Sequence, residues 1–251
     1  MSLVGQAATL VAFPVGAAVV GSTIATVRRP GPRLVSGVQH FAAGVVMAAL
    51  VGEVLPDLRE EGNLLWAVGG FVVGASVMLG LGAWERRQER RRETRERSGV
   101  ARVAAYTLPI GLLAAVGIDL LLDGLLVGLG VTLGSEAGLV LTIALTVEIL
   151  FLALSVVGEL LDEGVPRARA ALICIGLGLA TAVGAIGGAA LLGGASAQVL
   201  AAVLAFGSVA LLYLAVEELL VEAHEQTETT LLGAMFFAGF LLIYVLGEVA
   251  S

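Results

Sequence analysis

Two aspartates, Asp119 and Asp123, lie four residues apart in the apolar stretch GIDLLLDGLL. In a helix this spacing puts both carboxylates on one face, one turn apart. An ionised carboxylate in such surroundings is strongly disfavoured unless a proton, hydrogen bonds, water or a bound cation compensates it. Because no arginine, lysine or histidine lies in the apolar segments at that depth, the pair predicts a functional site rather than a salt bridge.

Further acids lie within or at the ends of other apolar runs. Glu148 is in the middle of LTIALTVEILFLAL, and Glu53 and Asp57 end a run with GEVLPD. The segment VEELLVEAH ends another run with Glu218, Glu222 and His224. For His224 among its acidic neighbours, a cation exit and an ordinary solvated loop are equally good interpretations.

The composition predicts an all-α polytopic membrane protein. Hydrophobic residues make up 58% of the 251 residues and charged residues 14%, with a mean hydropathy of +0.99. Soluble domains carry about a quarter charged residues. Runs of about 20 apolar residues fit membrane-spanning helices, and the period-2 alternation of a barrel is absent. The net charge of -7 argues against nucleic acid as a partner.

The apolar runs predict eight helices in a single transmembrane domain, 1–251, with a charged loop, 85–102, between the third and fourth. The predicted ranges are 3–27, 34–55, 64–84, 103–131, 137–161, 168–192, 197–221 and 230–249. The alternating arginines and glutamates of the loop indicate a solvated, partly helical or flexible linker.

The arginines predict the orientation in the membrane. Thirteen of the 14 follow odd-numbered helices, and Arg59 alone follows an even-numbered one. Since cytoplasmic loops are enriched in arginine, the loops after odd-numbered helices are expected in the cytoplasm and both termini outside, in a plasma (inner) membrane.

Together these motifs resemble the ZIP (Zrt/Irt-like protein) family of divalent metal transporters. That family has eight helices and, in the fourth, the motif His-Asn-x-Pro-Glu-Gly-x-x-x-Gly. Here Asp119 stands at the histidine and Asp123 at the glutamate, and Gly124 and Gly128 are kept. Family motifs that end the second and seventh helices resemble the segments EVLPD and ELLVE, at 53–57 and 218–222.

The fifth helix departs from the family pattern. Glu148 replaces the histidine of a second His-x-x-Pro-Glu-Gly motif, and Leu152 stands at its glutamate. Leu120 and Ile149 replace polar ligands of the family's second metal position. The resemblance therefore implies one all-carboxylate metal site, formed by Asp119, Asp123, Glu148 and Glu53. Asp57, Glu218, Glu222 and His224 are expected at its entrance or exit.

The resemblance further implies a homodimer and an elevator-like motion of helices one, four, five and six. It predicts a transporter and not an enzyme, with a divalent metal ion (zinc, manganese, iron or similar) as substrate and no cofactor. The alternative is a proton-coupled carrier of another cation, or a family relative that does not transport metal. An intramembrane aspartyl protease is a remote alternative, because its two aspartates would have to face each other from different helices.

Overall fold

The computed structural model describes residues 1–28, 31–60, 63–97, 108–224 and 229–250, and in this part of the chain there is no strand. Eight helices in it are long and apolar enough to cross a membrane, which confirms the predicted fold class. They are Leu3–Val27 (α1), Pro32–Glu60 (α2), Leu64–Arg97 (α3), Ile110–Leu133 (α4), Ser135–Asp162 (α5), Arg167–Leu192 (α6), 197–223 (α7) and Thr230–Ala250 (α8).

Several boundaries differ from the prediction, among them the end of α2, which lies at Glu60 rather than at 55. The helix α3 continues to Arg97, well into the predicted linker, where oppositely charged residues at helical spacing favour a helix in water. The helix α4 begins at Ile110 rather than 103, after the non-helical residues Leu108 and Pro109. Only Gly134 separates α4 from α5, where the sequence predicted a short loop. The rest of the predicted loop, 98–102, and the first residues of the predicted fourth helix, 103–107, lie outside the described residues.

Two kinds of irregularity interrupt the helices. In α1 the helical pattern breaks at Val11, because Pro14 has no N–H to donate to the carbonyl of Leu10. The helices α2 and α7 each contain a π-helical turn, Leu50–Val54 and Leu214–Leu219. Such turns insert one extra residue into the helix and often mark functional positions.

The helices associate in two groups. In the first group α4 pairs with α6 and α1 with α5, and in the second α2 pairs with α8 and α3 with α7. Contacts between the groups are fewer and run mainly between α2 and α5. The bundle is therefore divided into α1, α4, α5 and α6 on one side and α2, α3, α7 and α8 on the other.

Glycines allow the closest helix pairs to approach. A Cβ at Gly124 of α4 would collide with the backbone carbonyl of Thr181 in α6, and one at Gly184 would collide with that of Leu121. Between α2 and α8, a Cβ at Gly44 would collide with the carbonyl of Phe236. Small residues at these positions are the usual way in which membrane helices reach close contact.

Two names describe direction along the bundle. The end at which α3 ends and α4 begins is called the arginine-rich end, and the other is called the opposite end. The left-handed Gly164 (φ 80°) ends α5 at the arginine-rich end, and the N–H of Val165 donates to the Leu160 carbonyl at 2.9 Å. Only glycine adopts this backbone conformation without strain, so α5 stops there and α6 can begin three residues later.

Candidate metal centre

Three predicted site residues meet where α4 packs against α5. Asp119, Asp123 and Glu148 each offer one carboxylate oxygen, and these oxygens lie within 4.8 Å of one another. The side chains are only 9%, 2% and 1% exposed. Helical spacing aligns the two aspartates, and the contact between α4 and α5 adds the glutamate. That this cluster binds a metal ion stays a prediction.

Two oxygens of the cluster have no hydrogen-bond partner. Oδ2 of Asp123 and Oε2 of Glu148 are buried and receive no hydrogen bond. Buried polar atoms are nearly always paired, and unpaired buried carboxylates are especially unfavourable. Three acids at such short distances also repel one another when they are ionised. A cation bound among them would remove both penalties.

A small cavity extends from the cluster toward the arginine-rich end. Its volume is about 40 Å³, enough for one or two water molecules. Its polar lining is Glu148, Gln39, Ser155 and Glu218, and its apolar lining is Phe151, Leu152, Leu214 and Leu219. Glu218 belongs to the π-helical turn of α7 and interacts electrostatically with Asp123.

Gln39 and Ser155 were not predicted from the sequence. Gln39 directly precedes His40, and Ser155 lies four residues before Glu159, but no pattern in the sequence links either residue to the carboxylate cluster. Gln39 faces the cavity from α2, and Ser155 faces it from α5, two helical turns beyond Glu148. Only the packing of α2 and α7 against α5 identifies them as cavity residues.

Toward the opposite end the cluster is covered by the largest apolar core. Leu126 and Leu129 of α4 follow Asp123, and Leu141 and Leu145 of α5 precede Glu148. All four are buried and pack with apolar residues of α2 and α7, among them Leu50 and Leu211. The polar surroundings of the cluster thus continue toward the arginine-rich end, and apolar packing closes it on the other side.

Glu53 does not join the cluster. It lies in the π-helical turn of α2, half-buried, close to Gly247 of α8. Its electrostatic neighbours are Glu136, in the first turn of α5, and the half-buried Asp57. These acids lie at the opposite end of the bundle.

The two histidines meet at the arginine-rich end, outside the carboxylate cluster. His40 and His224 have ring centroids 5.1 Å apart. Nδ1 of His40 donates to the Ser36 carbonyl at 2.8 Å, and Nδ1 of His224 donates to that of Leu220. Glu222 lies beside them in sequence, but its side chain lies outside the described residues.

Comparison with known protein families identifies one family whose model matches this chain. The family model described as ZIP Zinc transporter matches residues 84–247, about two thirds of the chain. The match covers the three residues of the carboxylate cluster and also Glu218. A search of curated proteins found no match.

Proposed function

The chain belongs to the ZIP zinc transporter family, and on that premise we propose that it carries a divalent metal cation across the membrane through Asp119, Asp123 and Glu148. Members of this family are integral membrane transporters of divalent metals and not enzymes. The metal ion is the substrate here, so its site has to release it as well as bind it. The observation that carries the proposal is the pair of buried, unpartnered oxygens on Asp123 and Glu148.

The surroundings of the site support a route for the ion to and from it. The cavity with Glu218 and Gln39 supports an exit toward the arginine-rich end, with Glu218 as the first carboxylate that a departing ion meets. Acids concentrate cations at a mouth, so Glu53, Asp57 and Glu136 are assigned to the entrance at the opposite end. His224 and Glu222 are assigned to the end of the exit.

Alternating access is proposed to occur by sliding of one helix group against the other. The carboxylate cluster lies entirely on α4 and α5, which belong to the group of α1, α4, α5 and α6. The weaker contacts between the groups support a rigid-body motion that carries the site along the membrane normal. In this arrangement the conformation described above is the one in which the polar cavity lies on the arginine-rich side of the cluster.

The arginine distribution supports a cytoplasmic location for the arginine-rich end, in a plasma membrane with both termini outside. A cysteine placed at the exposed Arg90 should then react with an impermeant maleimide from the cytoplasmic side alone; labelling from outside would reverse the route. A homodimer is proposed on the family resemblance, and its mass in detergent tests it.

Metal uptake into liposomes that contain the purified protein tests the proposed function. Asp123→Asn and Asp119→Asn should each abolish uptake, because each removes a charged ligand, while the protein still folds because the neutral amide is easier to bury. Asp162→Asn at the exposed end of α5 makes the same chemical change away from the site and should transport normally. Unchanged uptake in both site variants would refute the assignment.

A further inference from the structure

The donor atoms of the carboxylate cluster determine what kind of ion suits it. We propose that this site holds a single, hard, oxygen-preferring divalent cation of the manganese class, with little preference for zinc. The proposal rests on the proposed transport function and adds the class and number of the ions. Three features of the structure support it.

The first feature is that the cluster offers oxygen atoms alone. Asp119, Asp123 and Glu148 are its members, and no histidine or cysteine joins them in the part of the chain that the structure describes. His40 and His224 contact each other at the arginine-rich end, and Cys174 lies in an apolar cluster with its thiol directed at the Ala153 carbonyl. Zinc sites usually include imidazole or thiolate, whereas carboxylates and water suit magnesium, calcium and manganese.

The second feature is the space for water beside the cluster. The carboxylate oxygens that the three acids offer lie within 4.8 Å of one another, close enough to share one ion. The adjoining cavity of about 40 Å³ has room for water ligands, which hard ions need to complete six or more bonds.

The third feature is that the space beside the cluster is filled. Leu120 and Ile149 follow Asp119 and Glu148 directly in the chain and are only 3% and 1% exposed. Both pack in one apolar cluster with Val116, Ala153, Val156 and Cys174. A second cation on that side would have to displace this packing without gaining an oxygen ligand. The site therefore accommodates one ion per chain.

Zinc still binds carboxylates more tightly than manganese by the general order of metal affinities. The inference is that the advantage of zinc over manganese is small at this site, because the site has no nitrogen ligand. Asp119→His introduces one imidazole into the same position and should raise the preference for zinc over manganese by at least about tenfold. Asp119→Glu keeps an oxygen ligand and should leave the ratio nearly unchanged. Asp162→His, at the exposed end of α5, controls for the addition of a surface histidine.

The experiment is equilibrium competition between manganese and zinc on the purified full-length protein, with bound metal counted per chain. One ion per chain in the wild type, together with the shift in Asp119→His alone, is the expected result. Two ions per chain would overturn the inference, even if Asp119→His failed to fold. An unmoved ratio in a metal-binding Asp119→His variant would also overturn it. If the wild type bound neither metal, the proposed transport function itself would be wrong. Tight binding of two zinc ions per chain would contradict only this inference and would not affect the proposed transport function.

Discussion

At the scale of single residues, four buried side-chain oxygens lack a hydrogen-bond partner in the described part of the chain. They belong to Ser22, Asp123, Glu148 and Thr181, although the Ser22 hydroxyl has the Cys174 thiol beside it as a weak partner. A buried hydroxyl without a partner destabilises a protein by roughly 1–3 kcal/mol, whereas an unpaired buried carboxylate is far more unfavourable. The two hydroxyls are thus tolerable structural exceptions, and the two carboxylates need compensation by a proton, by water or by the cation proposed above.

Matched substitutions separate these two kinds of unpaired oxygen. Glu148→Gln and Thr181→Val each change one polar group and keep the shape of the side chain. The first should lower metal affinity by about tenfold to a hundredfold or more. The second should leave affinity unchanged and keep or raise thermal stability by about 1 kcal/mol. The metal-dependent shift in melting temperature measures both effects. If Thr181→Val weakened binding as much as Glu148→Gln, Thr181 would be a ligand and the cluster would be incompletely described.

The sequence predicted site residues on its own only where residues of a metal-binding type also have a spacing that puts them on one helix face. Asp119 and Asp123 are one helical turn apart, so their shared face follows from local geometry. Glu148 joined them through the family resemblance, because no local rule says which face of α5 meets α4. Gln39 and Ser155 were not predicted, since a polar residue outside a recognised motif has a functional meaning only when its neighbours in space are known. Glu53 was grouped with the cluster, but it lies at the opposite end of the bundle.

At the scale of helices, the lengths of the apolar runs predicted the number of membrane spans. They did not predict the local irregularities of the helices, which depend on tertiary contacts. Apolar runs identify all eight spans because a helix must satisfy its backbone inside lipid. The π-helical turns at 50–54 and 214–219 have no reliable sequence signal, although Pro56, which cannot donate to the Gly52 carbonyl, contributes to the first. Both turns contain acids proposed to lie on the ion route, Glu53 and Glu218, so the irregular backbone coincides with that proposed route.

Glycine packing beside the cluster gives a prediction at this scale. Gly124 follows Asp123, and a Cβ there would collide with the Thr181 backbone carbonyl. Gly124→Ala should therefore separate α4 from α6, destabilise the protein by about 1–3 kcal/mol and reduce metal uptake. Gly176→Ala, on the open surface of α6, should be neutral or slightly stabilising. Thermal unfolding in detergent and uptake in liposomes measure the pair. Equal stability of the two variants would show that α4 and α6 do not need this close contact.

At the scale of the whole molecule, the helix pairs are arranged symmetrically within the two groups. The pairs α1–α5 and α6–α4 form one group, and α2–α8 and α7–α3 form the other. Contacts are most numerous within each group, and the interface between the groups includes the apolar residues of the largest core. This division supports the proposed sliding of one group against the other.

Cross-linking across and within the groups tests whether this sliding moves the metal. Leu126 of α4 contacts the backbone at Gly207 of α7, so it bridges the two groups, whereas Leu125 contacts Gly188 of α6 within one group. In a Cys174→Ala background, cysteines at 126 and 207 should form a disulfide that stops uptake, because it fixes α4 to α7. Reduction should restore uptake. Cysteines at 125 and 188 should cross-link without loss of uptake, because those helices move together. Full uptake by the completely cross-linked 126–207 protein would exclude sliding between the groups, and the ion would then have to leave the cluster by local movement of side chains around Glu218.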